Sequence, residues 1–186
     1  MRILAISGSL RGDSYNTGLL RAAAELAPAG VEVVLYDGLL EIPPYDEDTE
    51  AAAPPAVAAL RDAIRDADGV LYATPEYNGS VPGVLKNAID WASRPRATTA
   101  MQNKPSAVVG ASTGTFGAVW AQNDLRRILG LTGARVVEAE LPVGRAQEAF
   151  VGGELASGDV REKLTDVVEA LVDAVREREV VLSGER

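Results

Sequence analysis

The chain of 186 residues contains neither cysteine nor histidine. Without cysteine there is no disulfide, no thiolate nucleophile, no iron–sulfur cluster and no cysteine-type zinc site. Without histidine the commonest general base, the Ser-His-Asp triad and imidazole metal ligands drop out as well. An esterase reading of Gly12-Asp13-Ser14 falls with the triad. Aromatic residues make up only 5% of the chain, and no apolar run approaches the ~18 residues that mark a membrane span. Positive charge is in deficit: 18 Lys and Arg face 27 Asp and Glu, a net charge of -9, opposite to the balance of a nucleic-acid binder. No two of the 18 glycines are separated by one residue, so the dinucleotide fingerprint G-x-G-x-x-G cannot occur, and the Walker pattern is absent too. Met1-Arg2 leads straight into a strand-like run without a leader pattern, which makes the cytoplasm the expected location. Any chemistry must rest on carboxylates, hydroxyls, the backbone or a bound cofactor.

What is present is an alternation of short apolar runs and helical patterns. Ile3–Ile6, Val31–Tyr36, Val70–Ala73, Ser106–Val109 and Ala134–Val137 read as strands. Helical spacing of apolar residues runs through Thr17–Leu26, Pro55–Arg65, Val84–Ala92 and Ala118–Leu131. A last stripe is made by Val160, Leu164, Val167, Val168, Leu171, Val172 and Val175. Glu41–Pro55 reads as an acidic, proline-rich surface excursion and Arg145–Asp159 as irregular. Five strands alternating with helices predict an α/β fold: a doubly wound parallel sheet, order 2-1-3-4-5, with helices on both faces and the whole of 1–186 as one domain. In such sheets ligands bind beyond the carboxyl ends of the strands, so the loops after strands one, three and four carry the functional reading.

The first of these loops, Ser7-Gly-Ser-Leu-Arg-Gly-Asp-Ser-Tyr-Asn16, places hydroxyls and one arginine before a helix. Ser14 or Asn16 suits the helix cap, the first-turn N–H groups and the dipole suit an anion, and the Arg11 fork matches phosphate oxygens. From the residues alone, a phosphate site and plain capping-and-turn chemistry both stay open; in the first case Asp13 must face solvent. The second loop, Thr74–Gly83, offers the aromatic face of Tyr77 and the polar edges of Glu76 and Asn78, with Ser80 as a candidate helix cap and Pro82 at the helix start. It reads as the border of a flat heterocycle or as an ordinary strand-to-helix turn. The third, Gly110–Gly117, is small enough for close ligand approach, and alone it reads first as a flexible glycine loop.

Gly8-Ser-Leu-Arg-x-x-Ser-x-Asn16 and Pro75-Glu-Tyr-Asn-Gly-Ser-Val-Pro-Gly-x-Leu-Lys-Asn-Ala-Ile-Asp-Trp91, in one chain, resemble the NADPH-dependent FMN reductase family, which includes bacterial chromate and quinone reductases and related azoreductases. The resemblance runs to the Ala121-Gln-x-x-Leu-Arg126 segment. It implies a flavodoxin-like fold, non-covalently bound FMN, NAD(P)H as transient co-substrate, a small-molecule electron acceptor, and a homodimer or homotetramer. Carried over by residue, it puts Ser9, Arg11, Ser14 and Asn16 on the FMN phosphate, with Thr17 near the helix start. Pro75, Glu76, Tyr77, Asn78 and Gly79 would border the isoalloxazine and ribityl chain, and Ser112, Thr113 and Gly114 would close the other side. No side chain is assigned a catalytic role, because the flavin N5 carries the hydride chemistry. Acceptors would be quinones, azo compounds, free flavin or chromate, reduced by ping-pong kinetics. The alternative is a flavodoxin-type FMN carrier without NAD(P)H turnover; Arg11 speaks against it, since carriers typically use an uncharged Ser/Thr-rich loop. One departure stands out: family members often read Gly-Gly-x-Arg where this chain reads Gly117-Ala-Val-Trp120.

Overall fold

The computed structural model describes residues 1–184. Its strands are β1 (Arg2–Ser7), β2 (Glu32–Tyr36), β3 (Gly69–Ala73), β4 (Pro105–Ala111) and β5 (Arg135–Val143), followed by the two-residue strands β6 (Phe150–Val151) and β7 (Glu154–Leu155). The helices are α1 (Tyr15–Leu26), α2 (Pro55–Asp66), α3 (Gly83–Ala92), α4 (Val119–Leu131), the single turn α5 (Ala146–Ala149) and α6 (Gly158–Ser183). The main sheet has five strands in the order β2-β1-β3-β4-β5, all pairs parallel. This is the expected doubly wound, flavodoxin-like order.

Alternation along the buried strands divides the core in two. Ile3, Ala5, Leu71, Ala73, Ala107 and Val109 point to one face and pack with Leu19 and Leu20 of α1 and with Leu164, Val168, Leu171 and Val175 of α6. Leu4, Ile6, Val70, Tyr72 and Val108 point to the other, against Val57, Leu60 and Ile64 of α2, Leu85 and Ile89 of α3, and Leu125 and Leu129 of α4. β3 and β4 are buried along their whole length, as expected of strands covered on both faces. The strand order reverses at the β1/β3 pair, where successive crossovers leave in opposite directions and open a crevice above the strand ends.

Two segments differ from the sequence reading. β5 continues six residues past Val137, to Val143, with a register shift against Ser106–Val108. Its exposed Glu138 and Glu140 mask the strand pattern, because an edge strand needs apolar residues on one face only. Residues 145–159, read as irregular, fold into α5 and the β6–β7 hairpin, and α6 begins at Gly158. Among the described residues no helix is long and apolar enough to cross a membrane.

Candidate functional site

At the carboxyl end of β1 the Gly8 N–H donates to Ala73 O at 2.8 Å, so the first loop leaves directly beside the end of β3. A side chain at Gly8 would press on Leu85 Cδ2 at 2.9 Å and on Pro75 Cδ at 3.3 Å. Glycine lets the first loop lie against Leu85 of α3 and Pro75 of the second loop without either having to give way. The Ser7 and Thr17 hydroxyls hydrogen-bond at 2.8 Å, the Ser9 N–H donates to Ser7 Oγ at 3.3 Å, and the Arg11 N–H donates to Ser9 Oγ at 3.4 Å. Ser14 is the N-cap of α1, its hydroxyl accepting from the Thr17 N–H at 3.4 Å. The N–H groups of Tyr15 and Asn16, also in that first turn, find no acceptor among the described residues. Arg11 is exposed and has no ion-pair partner among the described residues, and Asp13 is exposed, as the anion reading requires.

Asn16 is not the cap of α1, and its side-chain amide is engaged within the protein. It is 3% exposed; its amide donates to Ala111 O at 3.0 Å and accepts from Ala111 N–H at 2.9 Å. The side chain that looked free for a phosphate instead completes the hydrogen bonding of β4's last residue and ties the first loop to the third. Thr17 likewise contributes its hydroxyl to Ser7, inside the loop.

In the second loop the Thr74 hydroxyl donates to Pro75 O at 2.8 Å. Tyr77 and Ser80 exchange backbone hydrogen bonds at 3.1 and 3.2 Å around Asn78 (φ 53°) and Gly79 (φ 75°), two successive left-handed residues that make a type I′ turn. The turn holds Tyr77 half exposed at the sheet edge. Ser80 is not the cap of α3: Pro82 occupies that position without a side-chain bond, and the Ser80 hydroxyl donates to Asp124 of α4 at 2.7 Å. The Glu76 carboxylate accepts from the N–H groups of Trp120 and Ala121 at 3.0 and 3.1 Å. It thereby caps α4, whose own N-cap residue, Ala118, has no side-chain acceptor. A carboxylate there also meets the positive end of the helix dipole.

The third loop is fastened rather than flexible. The Ser112 N–H donates to Val143 O at 3.0 Å, the Arg145 N–H to Gly114 O at 2.9 Å and the Ala146 N–H to Ser112 O at 3.0 Å. A side chain at Gly144 would overlap Thr115 O, so the segment after β5 is clamped against the loop. Thr113 and Gly114 are exposed at its outer side.

The three loops meet around a cavity of about 140 Å³ lined by Ser9, Arg11, Ser14, Asn16, Pro75, Glu76, Tyr77, Ser112 and Thr113, together with Tyr15 and Ala111. Asn78, Gly79, Gly114 and Thr17 lie close to lining residues in sequence without lining it themselves. Tyr15 and Ala111 are additions to the sequence reading. Tyr15 stood in plain view between the two polar candidates, whereas Ala111 bears no signal in its side chain. A larger groove of about 580 Å³ between α1 and the β6–β7 hairpin shares Arg11, Ser14 and Tyr15 and adds Arg21 together with three carboxylates, Asp13, Glu25 and Glu154, which outnumber its two arginines. Those carboxylates disfavour a phosphate there, so the smaller cavity is the better match to the cradle. A phosphate fits it chemically: Arg11, the first turn of α1 and the Ser9 and Ser14 hydroxyls supply donors at its lining, and its one carboxylate, Glu76, is held at the start of α4 through Oε2.

The NADPH-dependent FMN reductase family profile matches residues 1–148. An NAD(P)H-dependent FMN reductase of Pseudomonas aeruginosa is 45% identical over 174 residues, covering 92% of this chain and 93% of that protein. A quinone reductase of Pseudomonas putida is 40% identical over 176 residues, covering 92% of this chain and 90% of its own. Among solved structures, the flavoenzyme NAD(P)H:(acceptor) oxidoreductase of Paracoccus denitrificans superimposes with a TM-score of 0.84 at 37% identity, over 95% of this chain and 97% of that one. The family profile and these relatives show that the chain belongs to the NADPH-dependent FMN reductase family.

Proposed function

We propose that this protein is an FMN-dependent NAD(P)H oxidoreductase that delivers electrons to a small acceptor, quinones foremost. The observation that carries the reading is the convergence of Ser9, Arg11 and Ser14 with Tyr77 and the Ser112–Thr113 edge on one cavity at the sheet's switch point. The names of the relatives support it. In balanced form the reaction is NAD(P)H plus a proton plus quinone giving NAD(P)+ plus hydroquinone. When bound, FMN would supply the two-electron redox chemistry that no side chain of a chain without cysteine and histidine can supply.

The protein's own part is to bind, orient and leave access. Arg11, the Ser9 and Ser14 hydroxyls and the N–H groups of Tyr15 and Asn16 would hold the phosphate. Asn16, through Ala111, and Glu76, through α4, keep the three loops at fixed separation, and such fixed positioning of reactants is a main source of rate enhancement. The backbone at Asn78 and Gly79 would meet the pyrimidine end of the flavin. Because one open face must serve donor and acceptor in turn, ping-pong kinetics and a broad acceptor range follow, with azo compounds, free flavin and chromate included. The reading also takes in a cytoplasmic single-domain chain assembled as a homodimer or homotetramer.

An absorption spectrum of the purified protein, taken before and after anaerobic addition of NADH or NADPH, tests the reading. The expected result is a flavin spectrum that bleaches on addition of one or both donors. A flavin that stays oxidised under excess donor would mark an electron carrier, and a protein that refuses added FMN would refute the assignment altogether.

A further inference from the structure

We propose that Arg126 is a positioning residue: it sets the register of β5 and thereby places the third loop at the cavity, a role that rests, for its effect on flavin, on the functional reading above.

Elsewhere in the main sheet the strand partners advance in step, one residue against one. Between β4 and β5 they do not. Ser106 pairs with Val136 and Val108 with Glu140, so two steps along β4 match four along β5. Val137, Glu138 and Ala139 stand against Ala107 alone, a bulge in the ladder. Beyond it the pairing resumes, Val109 with Leu141, Gly110 with Pro142 and Ala111 with Val143.

The apolar pattern does not fix this register. Side chains alternate along a strand, so a slip of one residue would turn Leu141 and Val143 out of the core. A slip of two would not. It would set Ala139 against Val109 and Leu141 against Ala111, and Val137, Ala139, Leu141 and Val143 all pack on the same side of the sheet. Glu138 and Glu140 would stay on the exposed side. Such a slip absorbs the bulge and carries the end of β5 about 7 Å past the third loop, two rises of ~3.3 Å.

Arg126 opposes that slip. Its guanidinium donates to Val137 O at 2.6 Å and to Ala139 O, carbonyls of bulge residues that have no partner on β4. One planar fork thus holds both ends of the excess segment, which an ammonium group cannot do in the same way. The side chain is only 15% exposed, and Glu140 Oε1 lies 3.7 Å from its Nε. Position 126 lies one helical turn from the buried Gln122 and Leu129. A charge there is costly unless it is hydrogen-bonded, and the bulge supplies the acceptors.

The register matters at the site. With Val143 opposite Ala111, Val143 O accepts from the Ser112 N–H at 3.0 Å, and the Arg145 and Ala146 N–H groups reach Gly114 and Ser112. At the approach to α4, a Cβ on Gly117 would fall 2.5, 2.6 and 2.7 Å from backbone atoms of Pro142, Val143 and Gly144. Ser112 and Thr113, which line the cavity, are held by this fit. Glu76 ties the second loop to the start of α4. Arg126 therefore references the third loop to the same helix as the second.

The test removes the fork and then removes the need for it. Arg126→Met should let the slipped register compete. If that register holds about nine-tenths of the variant, the apparent FMN Kd rises about tenfold. Hydrogen exchange of the Ser112 and Ala146 amides, measured without flavin, should become faster, while the Gly8 amide keeps its wild-type protection. Deleting Glu138 and Ala139 in the Arg126→Met chain takes out the excess residues and leaves Val108 opposite Glu140. FMN affinity and amide protection should then return to wild-type values. If Arg126 served only to pack α4, shortening β5 would not relieve its loss. Wild-type affinity and exchange in Arg126→Met, or a loss that the deletion leaves unrelieved, overturns the proposal. Arg126→Lys keeps the charge without the fork and should show the same faster exchange at smaller amplitude. Wild-type protection in that variant overturns the proposal even where Arg126→Met does not fold. Wild type that takes up no FMN refutes the functional reading alone, because the exchange measurements need no flavin.

Discussion

Replacing Asn16 by Ala should damage both stability and flavin binding, although the sequence makes this residue look like a surface cap. Asn16 is 3% exposed, and its amide satisfies both the N–H and the carbonyl of Ala111, at 2.9 and 3.0 Å. Ala111 is itself 2% exposed, so water cannot readily replace the lost partner. Leaving a buried polar group unpaired costs about 1–3 kcal/mol, and two such groups cost roughly 2–5 kcal/mol. That is a large part of the ~5–15 kcal/mol by which a domain is stable. Urea unfolding followed by circular dichroism is the assay; with m of about 2 kcal/mol/M, the midpoint should fall by about 1–2.5 M. Asn16→Asp is the discriminating partner variant. It keeps an acceptor for the Ala111 N–H but sets a carboxylate oxygen against the Ala111 carbonyl, so it should not rescue. FMN affinity should fall in both variants, because the third loop loses its tie to the first. A loss below about 0.5 kcal/mol for Asn16→Ala, the range of ordinary surface changes, would refute the reasoning.

Glu76→Ala should cost about 0.5–2 kcal/mol, the worth of a helix N-cap, and raise hydrogen exchange in the first turn of α4, while Glu76→Gln, which keeps an acceptor oxygen, should recover most of the loss. Lys104 is buried, its ammonium donating to the carbonyls of Arg65 and Ala67, and burial pushes its pKa down to about 8. Between that value and its unfolded pKa near ~10.4, the unfolded chain binds more protons than the folded one, so this group makes stability rise with pH above about 8. The urea midpoint difference between pH 7 and pH 9 should therefore shrink in Lys104→Met; an unchanged difference would contradict the assignment.

The buried strands and amphipathic helices were readable because their patterns are local. Val70–Ala73 is apolar throughout, and the stripe from Leu164 to Val175 keeps helical spacing. β5 was cut short at Val137 because Glu138 and Glu140 interrupt the apolar run, and whether an acidic residue lies on a solvated strand face depends on sheet position, a non-local property. The same limit applied at the site. Ser14 was legible as a cap because its partner is three residues away. Asn16 and Glu76 were legible only as polar groups near a ligand, since their partners lie 95 and 44 residues away. In the structure both side chains hydrogen-bond to backbone groups of a neighbouring loop or helix, while both residues also line the cavity. The glycine-rich third loop read as flexible for a related reason: the segment that clamps it, Val143–Ala146, follows more than 25 residues later.

The central claim is that the loop after β1 is a phosphate cradle with Arg11 as its charged member. Equilibrium binding of FMN and of riboflavin, which lacks the phosphate, to wild type and to Arg11→Ala tests it most directly. Losing a hydrogen-bonded charge contact costs about 1.5–3 kcal/mol, so the variant should bind FMN roughly ten- to a hundredfold more weakly while its riboflavin affinity stays at the wild-type value. Equal affinities of wild type and variant for FMN, or a parallel loss for both flavins, would contradict the claim.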